Sequence, residues 1–182
     1  PDHPNNSSNP LQTRDLMTNN ERVNRFILGG TLDVNLYSNQ NSNLKLVTRS
    51  GVDTYNMEAK VIFPKELQFQ REDQGGVNGV SAITNTNNKN ANYSAFLVHN
   101  YFTDNEISFN TQVGATNEQF SRNTVSVVAS DLIASETNVD QGANQNVNQN
   151  RLEQEDMGFF VQETVNYQDK LIGTLGLRGD KS

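Results

Sequence analysis

Apolar and polar residues alternate along much of this chain, most cleanly between Phe26 and Leu36. Phe26, Leu28, Leu32, Val34 and Leu36, with Gly30 among them, occupy every second position, and Arg25, Ile27, Gly29, Thr31, Asp33 and Asn35 fill the others. A period of two is what a β-strand with one apolar face produces. The pattern predicts a strand over residues 23–37. Eleven alternating positions at ~3.3 Å each cover about 36 Å of chain, or about 25 Å of height at a tilt near 45°. Strands in soluble sandwiches usually run only about 5–6 residues, so the length itself is informative.

The same pattern recurs downstream. After a polar turn at 38–43, Leu44, Leu46 and Val52 share a face with Thr48 and Ser50, opposite Lys45, Arg49 and Asp53, and the strand runs on towards Ile62 before Pro64 ends it. Residues 64–90 read as a long polar connection with Gly75-Gly76 and the tract NTNNKN. A third strand follows over 93–102, with its faces unassigned because Phe96, Val98 and Phe102 fall on the side expected to be wet. Beyond the turn 103–106, Ile107, Phe109, Thr111, Val113 and Ala115 alternate with Ser108, Asn110, Gln112, Gly114 and Thr116. Residues 131–156 read as a second long loop, rich in Asn and Gln, and residues 1–22 as a Pro/Asn/Ser-rich loop. The chain closes on a hairpin: Phe159, Val161, Val165 and Tyr167 on one face of its first strand, a turn at 168–170, then Leu171, Leu175 and Leu177 on the second.

Connections therefore alternate short, long, short, long, short. Tyr37, Tyr101 with Phe102, and Tyr167 each precede a short turn, as an aromatic girdle at a membrane interface would. In a membrane barrel the short turns at 38–43, 103–106 and 168–170 would be periplasmic. The charged residues opposite the Leu/Val face, namely Arg25, Asp33, Lys45, Arg49, Asp53 and Arg178, are then candidates for a hydrated lumen face, because Arg or Lys at the lipid midplane costs about 2–4 kcal/mol. Hydrated wall or packing against a plug is the plainer reading of the six; direct substrate contact is the sharper one. Glu163 departs from the pattern: its register puts a carboxylate among Phe159, Val161, Val165 and Tyr167. A position at an interface, at a bulge or under a protein neighbour would each accommodate it.

Composition narrows the function classes. Fourteen Lys and Arg against 21 Asp and Glu, a net charge of -7 and a pI near 4.8 supply no cationic footprint for a phosphate backbone, so nucleic acid is not an expected partner. Zero Cys excludes disulfides, thiolate metal sites and a Cys nucleophile. His3 and His99 have no spacing to a metal or catalytic partner, so no enzyme activity and no cofactor are expected. No run approaches the ~20 apolar residues of a spanning helix, which leaves a barrel open. The opening PDHPNNSSNP lacks the basic and apolar regions of a signal peptide, so the expectation is a chain whose signal is removed or that starts inside a larger protein.

The terminal spacing of Gly158, Phe159, Gln162, Val165, Tyr167, Asp169 and Leu171, followed by Gly176, Arg178, Asp180 and Ser182, resembles a barrel hairpin of SusC-like (RagA-like) TonB-dependent outer-membrane transporters of Bacteroidetes. The run Val23-Asn24-Arg25-Phe26 is similar to an earlier barrel strand of the same family. The tripeptide Arg178-Gly179-Asp180 belongs to that match rather than to an integrin signal. The resemblance implies an all-β, antiparallel up-and-down transmembrane β-barrel segment, with residues 1–22 an extracellular loop and 23–182 part of the barrel. Six predicted strands are fewer than the about eight that close the smallest such barrels, so a piece of a larger plugged barrel is expected. The implied function is import of a nutrient such as an oligosaccharide or peptide across the cell outer membrane. The implied partners are TonB, reached through the plug domain, a SusD-like surface lipoprotein, and outer-membrane lipid. The alternative from the residues alone is a freestanding soluble β-sandwich or adhesin-like glycan-binding module, its apolar faces packed on each other.

Overall fold

The computed structural model describes residues 2–5, 8–133 and 136–182. These form a short helix, α1 (Pro10–Leu16), and six strands: β1 (Thr18–Ser38), β2 (Ser42–Phe63), β3 (Val80–Phe102), β4 (Ile107–Leu132), β5 (Gly142–Tyr167) and β6 (Leu171–Lys181). They build one sheet in the order β1-β2-β3-β4-β5-β6, each strand beside its neighbour in sequence. The fold is the all-β, up-and-down antiparallel arrangement of a barrel segment.

Element boundaries differ from the sequence pattern at the polar ends of the strands: β1 starts at Thr18, inside the expected loop 1–22, and β4 runs on from the alternation at 107–116 to Leu132. Residues 80–90 belong to β3 and residues 142–156 to β5, so the expected loops 64–90 and 131–156 shorten to 64–79 and 133–141. Both strand extensions are mostly polar, and their few apolar residues, Val80 and Ile83 in one and Val147 and Leu152 in the other, fall on both faces, which leaves period two with no contrast to reveal. They are held instead by backbone pairing and by cross-strand side chains: Thr84 with Ser126 (3.0 Å), Thr86 with Thr124 (3.1 Å), and the Arg122 Nε–H donating to Asn88 (3.3 Å). Within the expected loop 1–22, Asn9 caps α1 by accepting from the Leu11 amide at 2.9 Å, and Pro10 starts the helix. Positions 1, 6, 7, 134 and 135 of the two expected loops lie outside the described residues.

The chain divides into two compact units. The first comprises Pro1–Arg25, Tyr55–Asn88 and Arg122–Leu152. It holds a small core in which Ile62, Leu67, Ala129 and Leu132 are buried and Phe63 meets Phe69 edge-on at 5.9 Å. Gly79, at φ 95, turns the connection back against Leu132 in a conformation that disfavours a side chain. The N-terminal segment is tied to this connection: the His3 amide donates to Gln68 Oε1 (2.9 Å), Gln68 Nε2 donates back to His3 O (3.2 Å), and Arg71 pairs with Asp2.

The second unit comprises Phe26–Thr54, Lys89–Ser121 and Glu153–Ser182. Its three short turns lie side by side, with the Phe102 amide donating to Asn41 O (2.7 Å) and the Gln168 amide to Glu106 O (2.9 Å). Asn39 builds the first turn by accepting from the Asn41 and Ser42 amides. The last is a tight hairpin turn: Gln168 and Asp169 both have positive φ, and the Lys170 amide returns to Tyr167 O at 3.0 Å.

Candidate functional site

The second unit has two chemically distinct faces. One carries Leu28, Leu32 and Leu36 from β1, Tyr93, Leu97 and Tyr101 from β3, Phe159 and Val161 from β5, and Leu175 and Leu177 from β6. All of these are exposed, with Leu32 at 61% and Leu175 at 75%. Large aliphatic side chains are ordinarily among the most buried of all residues. A shallow hollow of about 670 Å³ lies on this face, where Gly30, Ala95 and Ala115 leave room between Leu32, Met157 and Phe159. Near the short turns Tyr101 sits between His99 and Phe109, each ring 6.4 Å away, and Tyr167 stands on the same strand face as Phe159. By alternation Tyr37 falls with Asp33 and Asn35 instead, its hydroxyl accepting from Asn39 Nδ2 at 2.6 Å.

The opposite face is polar and is built around two glycines. At Gly114 an added Cβ would come 2.7 Å from the Phe96 ring and 2.8 Å from the Phe160 ring. The missing side chain is what lets those rings meet, with centroids 5.7 Å apart and planes at 52°. The Arg49 guanidinium lies over Phe96, 5.4 Å from its centroid. At Gly158 a Cβ would come 2.6 Å from Asp180 Oδ1 and 2.8 Å from Thr116 Oγ1. Arg178 donates its Nε–H to Asp180 at 2.8 Å. Around Gly158, Asn92, Glu118, Asp156, Arg178 and Asp180 line a hollow of about 330 Å³. Towards the short turns the face continues in amides and hydroxyls: Asn110 donates to Asn100 (2.6 Å), Gln112 to Asn110 (2.8 Å), and Thr164 meets Thr174 (3.0 Å).

Of the six sequence candidates, Arg49 and Arg178 are thus placed on this polar face, and their surroundings adjoin through Phe160, which pairs with Arg178 in the β5–β6 register. Asp33 lies on β1 and Lys45 and Asp53 on β2, in the alternation expected of them, while Arg25 lies on β1 in the first unit. Sequence reasoning missed Phe96 and Phe160 as a pair. The signal was present, because Phe160 on β5 and Phe96 on β3, the latter with Val98 and Phe102, break their strands' polar alternation. It also missed Glu118, Asp156 and Asp180, and the run Asn144, Asn146, Asn148 and Asn150, which alternates along β5 rather than filling a loop. Asn144 donates to Asp131 at 3.0 Å. His99 has a local role, its Nε2 sharing a hydrogen bond with the Ser42 hydroxyl at 2.8 Å.

No family model matches the sequence, and no curated protein does. Solved structures match in fold. The RagAB peptide transporter superposes with a TM-score of 0.78 at 11% identity over 94% of this chain. The RagAB peptide importer in its "open-open" state gives 0.71 at 12% identity, and in its "closed-closed" state 0.67 at 11%. This chain spans about a fifth (18–19%) of the length of those chains.

Proposed function

We infer that this chain forms six consecutive wall strands of an outer-membrane transporter barrel. The observation that carries the reading is the opposition of faces in the second unit: Leu28, Leu32, Leu175 and Leu177 are all more than 60% exposed on one side, and Arg49 and Arg178 lie on the other. Water penalises that apolar face and lipid does not. The polar face would line the lumen, with Arg25, Asp33, Lys45, Asp53 and Arg178 as hydrated wall. From Met157 to Tyr167 the apolar face spans about 33 Å of strand, or about 23–27 Å of height at a tilt of 35–45°, close to the about 25 Å apolar band of outer-membrane barrels. The short turns would face the periplasm and the connections 64–79 and 133–141 the outside. The fold likeness to a peptide transporter favours a peptide over an oligosaccharide as the nutrient. A SusD-like lipoprotein over the outer opening and TonB acting through a plug domain complete the proposed machine, of which this wall does no covalent chemistry. The sandwich alternative asks for a second packed sheet, and the described residues form one.

Cell fractionation of the native protein tests this. It should extract from the outer membrane only with detergent, shift in gel mobility on boiling as closed barrels do, and support uptake of labelled peptides by intact cells. A species soluble without detergent overturns the reading.

A further inference from the structure

Arg49 is exposed on β2, and among the described residues it makes no ion pair. It differs in this from Arg178, which Asp180 neutralises at 2.8 Å. The Arg49 guanidinium carbon lies over the Phe96 ring, 5.4 Å from the centroid, a placement Arg tolerates because it is weakly hydrated. With no carboxylate partner of its own among the described residues, the guanidinium fork can still meet a ligand carboxylate bidentately. Beside it the Phe96 and Phe160 rings, brought together over Gly114, offer an apolar floor.

We propose that Arg49, Phe96 and Phe160 form a subsite for a carboxylate carried next to an apolar or aromatic group, the chemistry of a peptide's C-terminal residue. The inference rests on the reading of the polar face as the lining of a peptide path. Sugar hydroxyls can also accept from a guanidinium, but only a carboxylate both pairs with it bidentately and neutralises its charge, so the cation and the rings together favour an organic acid.

The test is calorimetric binding to the full-length protein in detergent, with acetyl-Gly-Phe as the free acid and as its amide. The free acid should bind at least ~10-fold more tightly. Arg49→Gln should abolish that preference, Arg49→Lys should restore only part of it, and Phe96→Leu should weaken both probes while keeping the preference. Equal binding of acid and amide to the wild-type protein overturns the subsite without needing any variant, as does an undiminished preference in a folded Arg49→Gln protein. Failure of the transport reading is separable. Peptide uptake absent from cells whose purified protein keeps the Arg49-dependent preference sinks transport and leaves the subsite; uptake without any acid preference does the reverse.

Discussion

Glu163 stands directly opposite Leu175 in the β5–β6 register, and its Oε1 is shielded from solvent with no hydrogen-bond partner among the described residues. The sequence pattern placed this carboxylate on the apolar face, and the pairing keeps it there. Shielding an unsatisfied acceptor costs about 1–3 kcal/mol. Glu163→Leu should therefore raise the thermal unfolding midpoint of the protein in detergent. A lowered midpoint would mean that a neighbouring protein group satisfies Glu163 in the native assembly.

The two faces predict opposite tolerance at adjacent residues. Leu32→Arg puts a cation on the apolar face and should cost about 2–4 kcal/mol in lipid, seen as loss of outer-membrane yield. Thr31→Arg points the same group to the polar side and should insert normally. Equal yields would remove the assignment of faces.

Gly114→Ala drives a methyl to within 2.7 Å of Phe96 and 2.8 Å of Phe160. Overpacking of this kind costs about 1–3 kcal/mol. Denaturant titration in detergent should show that loss, and Gly114→Ala/Phe160→Leu should recover part of it.

The N-terminal tether depends on pH in a defined direction. The Asp2 carboxyl is held below its ordinary value chiefly by the Arg71 hydrogen bond and then by Gln12. A depressed carboxyl pKa gives a contribution that is complete above the unfolded value, near ~3.9, and is lost as pH falls through the lowered folded value. Carbon-13 carboxyl shifts of Asp-labelled protein should place the Asp2 midpoint below the ordinary range, and Arg71→Gln should return it there.

At the final turn, Gln168 and Asp169 occupy the left-handed region, at φ 54 and 53, which costs residues other than glycine about 1–2 kcal/mol each. Gln168→Gly should relieve one of these while sparing the bonds between Asn166 and Asp169. The expected result is a gain of about 0.5–1 kcal/mol, read from unfolding midpoints.

How much was legible in the sequence followed from where the two faces differ. Phe26 to Leu36 and Ile107 to Thr116 declared themselves because apolar and polar residues alternate there. Residues 80–90 and 142–156 did not, since a strand whose residues are mostly polar has the composition of a loop even where Thr86 and Asn88 are buried; Thr84, Thr86 and Asn88 are ordered by partners on β4 that no local window contains. Phe96 defeated face assignment for a related reason. Its ring partner Phe160 is 64 positions away, and only β4 between them, with Gly114, makes the pair sensible. Arg49 was picked out by its charge alone, and the ring beneath it was invisible.

Because every strand pairs with its neighbour in sequence, the sheet has a built-in order of assembly. Closing the turns at 39–41, 103–106 and 168–170 costs about 0.7–1.4 kcal/mol less chain entropy than closing the connections 64–79 and 133–141, at roughly 0.6 kcal/mol per doubling of loop length. The hairpins β1–β2, β3–β4 and β5–β6 are therefore the natural increments by which such a wall zips together, and the increments by which evolution could lengthen or shorten it without disturbing any pairing elsewhere.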